Sequence, residues 1–110
     1  MIDDIKIIID ELESQYGEDF NWFIPQNLSV FEVELQREMT KEHPLKHLEM
    51  KALACNGRND DVLFTDNEHF YIVHLTWAGE NDSDKGRFPN FFTLERENLK
   101  KFLETNFLEN

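Results

Sequence analysis

His69-Phe70-Tyr71-Ile72-Val73-His74-Leu75-Thr76-Trp77 is the stretch whose reading decides the fold class of this chain. Dense in β-branched and aromatic residues, it fits a pleated, packed strand better than any other segment. Turn clusters set off what precedes it. Asp66-Asn67-Glu68 separates it from the short apolar strand Val62-Leu63-Phe64, and Asn56-Gly57-Arg58-Asn59-Asp60 separates that strand from Leu48 to Cys55, where Leu48, Met50 and Ala52 alternate. Three strands joined by two short turns predict an antiparallel meander. Beyond the polar loop Ala78 to Asn90, Phe91-Phe92 can add a short edge strand.

Helices flank this sheet on both sides in sequence. Over residues 2–16, Ile2, Ile5, Ile8, Ile9, Leu12 and Tyr16 recur at spacings of three and four with acids between them, which predicts an amphipathic helix ending at Gly17. Residues 18–26 read as a loop whose Phe20, Trp22 and Phe23 staple that helix to the body. Asn27 to Thr40 is ambiguous: Phe31, Val33 and Leu35 alternate as in a strand, whereas Leu28, Phe31, Leu35 and Met39 fit one helical face. The capping-box pattern Ser29-Val30-Phe31-Glu32 favours a helix over about 29–41, stopped by His43-Pro44. Thr93 is expected to cap a last helix over about 94–106, with Leu94, Leu99, Phe102 and Leu103 inward. Two helices, a small sheet of three or four strands and one helix make an α+β domain, with the helices expected on one face of the sheet.

The chain has 110 residues, the length of one domain able to bury roughly 65% of its unfolded surface. Cys55 is the only cysteine, so no intrachain disulfide forms; within the apolar run Ala52 to Cys55 it reads as a buried, inert thiol in a reducing compartment. Met1 to Asp10 has three aspartates and one lysine, unlike a secretory signal, and the chain is expected in the cytoplasm. Twenty-three acids face eleven basic residues, a net charge of −12 and a pI near 4.6. Such a field repels nucleic acid and anionic membranes and attracts basic protein surfaces. It also keeps a small protein soluble, whatever its partner.

Motifs for chemistry are sparse. His43 and His47 have ligand spacing, but Pro44 interrupts a helix there, and His69 and His74 point to opposite faces of a strand, so no metal or other cofactor is expected. Ser14, Ser29 and Ser83 lack a nucleophile-elbow context, and the four glycines are scattered without a phosphate loop. Asp60-Asp61 is the best carboxylate pair, and turn hydrogen bonding explains it equally well. What remains is Trp77 followed by Glu80, Asp82 and Asp84, an aromatic anchor beside an acidic rim, for which a solvated loop with Trp77 in the core is the plainer account.

Glu34-Leu35-Gln36-Arg37-Glu38, His43-Pro44-Leu45, Asp60-Asp61-Val62-Leu63-Phe64, Val73-His74-Leu75-Thr76-Trp77, Glu80 and Phe88-Pro89 resemble the pattern of a family of small stand-alone bacterial proteins. The resemblance covers about residues 34–102 and implies a compact bacterial α+β domain without a catalytic role. The segment Glu80 to Arg87 is longer and more acidic than that pattern, and the N-terminal third lies outside it. By class analogy, small acidic proteins of this kind resemble immunity proteins, which neutralise a toxin domain made by the same cell.

The leading expectation is therefore a binding module and not an enzyme: an inhibitor of a basic, nuclease-like toxin domain. Its contact residues would be Asp60, Asp61, Trp77, Glu80, Asp82 and Asp84, with Trp77 as anchor and the acids standing in for phosphates. The alternatives are a cytosolic domain with a small-molecule or regulatory pocket lined by Trp22, His74 and Trp77, and a small hydrolase using Asp60, Asp61 and His74.

Overall fold

A computed structural model of the chain describes residues 2–77 and 89–109. The meander is present and longer than the sequence reading. Five strands, β1 (Trp22–Phe23), β2 (Lys51–Asn56), β3 (Asp61–Thr65), β4 (Phe70–His74) and β5 (Asn90–Leu94), pair antiparallel in chain order. Three helices accompany them: α1 (Ile2–Tyr16), α2 (Ser29–Glu38) and α3 (Arg96–Leu108). The architecture is α+β. Among the described residues no helix is long and apolar enough to cross a membrane.

Alternation along the strands sends side chains to both faces, and both faces are covered. On one face Leu63, Phe70 and Ile72 pack with Ile5, Ile9 and Leu12 of α1 and Leu99 and Leu103 of α3. On the other, Val62, Phe64, Tyr71 and Val73 pack with Leu35 of α2 and with Met39, Leu45 and Met50 beyond it. The expectation of helices gathered on one face is thus corrected: α2 lies opposite α1 and α3. Unbroken apolar runs such as Val62-Leu63-Phe64 need cover on both sides, which a single helical layer cannot supply.

Local departures have local causes. The β2–β3 register shifts between Ala52, paired with Phe64, and Ala54, paired with Leu63. This bulge puts Leu53 and Ala54 on the α1/α3 face together, while Ala52 and Cys55 face α2. Leu48, Met50 and Ala52 do share the α2 face, but β2 itself starts only at Lys51. Cys55 is buried, and burial pushes its thiol up to about 11. In the segment read as a loop, Trp22 and Phe23 pair with Asn56 and Cys55 as β1. Phe20 and Trp22 are buried against α1, but Phe23 is 45% exposed and lies outside that cluster.

The helix caps also differ. α2 has Leu28 at its N-cap with no side-chain cap; Ser29 Oγ donates to Asn27 Oδ1, and Glu32 Oε2 reaches across to accept the Ala52 N–H at 2.9 Å. A bulged strand needs that acceptor, so the capping box does not form. Thr93 belongs to β5, and α3 starts two residues later than read, behind Glu95.

Candidate functional site

α2 buries one stripe against the sheet, and that stripe includes two acids as well as Leu35. Glu34 and Glu38, one turn apart, are 4% and 3% exposed. Carboxylates so deeply buried need partners. Those of Glu38 come from the chain beyond β4: its Oε1 accepts the Thr76 N–H at 2.8 Å and its Oε2 accepts the Trp77 N–H at 2.7 Å. Glu34 Oε1 lies 3.3 Å from Arg37 Nη1, and Glu34 Oε2 has no hydrogen-bond donor among the described residues. A hydrogen bond with Glu38, burial, and the Glu38 charge push the Glu34 carboxyl up to about 7, against the pull of Arg37. Near neutrality the Glu34 carboxyl therefore takes up a proton, with Glu38 one turn away as its neighbouring carboxylate.

The Glu38 clasp fixes an unusual backbone. Trp77 has φ 58°, the left-handed region that a bulky residue rarely adopts. Its indole stands edge-on to Phe31 of α2, with ring centroids 5.9 Å apart, and remains 45% exposed. Val30 and Val33, at 45% and 63% exposure, turn outward beside it. Together with Ser29, Glu34 and Arg37 these residues line an open hollow of about 350 Å³. Trp77 is not a core residue; it is a surface aromatic pinned at its main chain.

Asp60 and Asp61 arrive at the same end of the sheet. Asp61 pairs with His74 across β3 and β4, its Oδ1 lying 2.8 Å from His74 Nδ1, and the Leu75 N–H donates to the Asp60 carbonyl. The Asp61 N–H donates to Asn59 Oδ1, and the Asp61 carboxylate takes side-chain partners, Asn59 Nδ2 at 3.3 Å and His74, instead of the turn's main chain. The Asp60 side chain is exposed. A smaller depression of about 150 Å³ is lined by Asp61, His74, Asn90 and Phe92 among others.

The chain on either side of residues 78–88 is tied to one segment. Glu38 clasps Thr76 and Trp77 before it, and the buried His43 bonds Pro89 after it, Nε2 to carbonyl, at 2.9 Å. The Leu45 N–H donates to His43 Nδ1, which leaves the ring proton on Nε2 as the donor to Pro89. α2 ends at Glu38, short of the expected 41 and well before Pro44, and His43 turns inward from the segment that follows. Glu80, Asp82 and Asp84 lie outside the described residues.

Trp22 does not join this site. It is fully buried on the α1/α3 face, where its Nε1 donates to Asn106 Oδ1 at 2.9 Å, so Trp22, His74 and Trp77 do not line one pocket. Among the described residues no three His, Cys, Asp or Glu side chains are grouped to hold a metal ion. On α1 two of the acids meet cations of α3, Asp4 with Arg96 and Glu11 with Lys100. Glu34, Glu38, Val30 and Val33 were missed as site residues. Like charges at i and i+4 weaken an isolated helix, so the Glu34–Glu38 spacing was the available signal. Comparison of the chain with protein-family models, curated proteins and solved structures finds no match.

Proposed function

We propose that the chain is a cytoplasmic binding module of the immunity type, which inhibits a basic, nuclease-like toxin domain by covering it with the sheet end around Trp77. The carrying observation is the pinned, half-exposed indole. A left-handed backbone and two buried carboxyls are each unfavourable, and such features persist where the surroundings over-determine them, commonly at binding sites. Here they keep a large aromatic side chain at the surface beside Val30 and Val33, a layout that suits a desolvated anchor.

Charge supplies the partner class. A net −12 steers the chain toward cationic faces, and Asp60 is held to this end of the sheet by its carbonyl, which accepts the Leu75 N–H two residues before Trp77. Glu80, Asp82 and Asp84 follow Trp77 within seven residues of sequence and are the acids proposed to join it in the contact. A basic cleft built to hold phosphates would meet carboxylates in their stead.

The test starts from the coding sequence directly upstream, where a large secreted protein ending in a short basic domain is expected. Binding of that domain should be tight and salt-dependent. Joint Glu80→Lys, Asp82→Lys and Asp84→Lys substitution should weaken it and flatten the salt dependence, and Trp77→Ala should raise the dissociation rate. Affinity retained within about 0.5 kcal/mol after the triple reversal rejects the acidic surface as the contact.

A further inference from the structure

We propose that one proton shared between Glu34 and Glu38 holds Trp77 in its left-handed, outward-facing conformation, making the presentation of the indole a proton-sensitive latch. The consequence for a partner rests on the docking reading above; the latch itself is a property of the free chain.

The geometry leaves little choice. Glu38 meets two main-chain N–H groups with its two oxygens, a task that requires the carboxylate form. Glu34 lies one turn back on the same buried stripe, with Oε1 toward Arg37 and Oε2 without a donor among the described residues. A proton on Glu34 Oε2 satisfies that atom and gives Glu38 a third hydrogen bond. Among the described residues the charged groups acting on Glu34 are Glu38 and Arg37, both on α2; the segment beyond β4 brings the Thr76 and Trp77 N–H groups to Glu38.

Loss of that proton places a second negative charge against Glu38 in a poorly hydrated stripe. Arg37, whose side chain is 66% exposed, offsets it only in part. The pair then separates: Glu34 keeps Arg37 beside it, whereas Glu38, the last residue of α2, also meets the negative end of the helix dipole, so Glu38 is the one displaced. Its departure frees the Thr76 and Trp77 N–H groups and removes the restraint on a backbone that favours leaving the left-handed region. Below neutrality the latch is closed; above it the indole is released.

The test needs no partner. In the free protein the indole N–H resonance of Trp77 is followed from about pH 5 to about pH 9, with Trp22, fixed to Asn106, as internal reference. A one-proton transition with a midpoint near 7 is expected. Glu34→Gln, whose amide donates to Glu38 at every pH, should abolish it and keep the low-pH signal. A transition that survives in Glu34→Gln belongs to another group and overturns the latch. In the unmutated protein the carboxyl carbon of Glu34 should move at that same midpoint. Titration of Glu34 in the ordinary carboxylate range overturns it as well. Either failure leaves the docking reading standing, and loss of toxin binding leaves the latch standing.

Discussion

Glu38 and Trp77, 39 positions apart, are joined through the main chain, the Trp77 N–H donating to Glu38 Oε2 at 2.7 Å while the neighbouring Thr76 N–H donates to Oε1. Hydrogen bonds from main-chain N–H to a buried carboxylate are among the stronger ones. Glu38→Ala removes the acceptor for both donors, and the loss should exceed the gain from burying one charge fewer. A destabilisation of about 2–4 kcal/mol is expected from urea unfolding. Hydrogen exchange localises the effect: protection of the Thr76 and Trp77 amides should collapse while that of β3 stays. Unchanged protection at both amides would show that the clasp contributes nothing.

Trp77 inverts a common stability ranking. Alanine ordinarily outranks glycine in a folded chain because glycine loses more entropy on folding. At φ 58° a Cβ costs about 1–2 kcal/mol that glycine does not incur. Both substitutions lose the same contact with Phe31, so Trp77→Gly should be at least as stable as Trp77→Ala in urea. An alanine variant more stable by about 0.5 kcal/mol or more contradicts the backbone assignment.

Much of this fold was legible because the strands carry their own signals. Phe70 to His74, Asp61 to Thr65 and the turns between them follow composition, and Phe91-Phe92 does lie in an edge strand. What failed depended on contacts distant in sequence. The bulge at Leu53 and Ala54 defeats an alternation count, and β1 exists only because Trp22 and Phe23 find Asn56 and Cys55. Two-sided cover of the sheet was written in the runs Val62-Leu63-Phe64 and Tyr71-Ile72-Val73, but an antiparallel sheet with one solvated face is the commoner pattern and set the expectation. At the site, Trp77 stands out in the sequence as an aromatic, but the strand expected to end on it stops at His74. Glu34 and Glu38 do not stand out, since as helix formers they look solvated until the chain beyond β4 folds over them.

The polar cluster on the α1/α3 face predicts a large and rescuable loss. Asn106 Oδ1 accepts from Trp22 Nε1 and Asn21 Nδ2, each at 2.9 Å, and Asn56 Nδ2 approaches at 3.5 Å. Trp22 is fully buried, so Asn106→Ala strands its N–H with no acceptor. About 2–4 kcal/mol should be lost, lowering Tm by roughly 10–20 °C. Asn106→Asp keeps an oxygen in place for these donors and should recover most of that loss in the same melting experiment. Equal melting of the two variants means that side-chain volume, and not the shared acceptor, is what matters at this position.

Stability should rise toward acid, the reverse of the behaviour of proteins held by depressed carboxylates. The Glu34 carboxyl sits at about 7 in the folded chain against an ordinary 4.5. The folded state therefore binds its proton more tightly, and the associated stability is complete below about 4.5 and lost as pH climbs through about 7. Asp66 works in the other direction. Burial opposes its ionisation, but the N–H groups of His69 and Glu68 and the Tyr71 hydroxyl outweigh burial and hold the carboxyl below its ordinary 3.8. Its contribution is present above 3.8 and is lost as pH falls through the lower folded value. Repulsion among the acids, a net −12 at neutrality, also relaxes on acidification. Urea midpoints should therefore be higher at about pH 5 than at about pH 8, and Glu34→Gln should flatten that difference by removing its one-proton part while leaving the general charge effect. A Glu34→Gln profile parallel to that of the parent chain would mean that the shared proton adds nothing to folding.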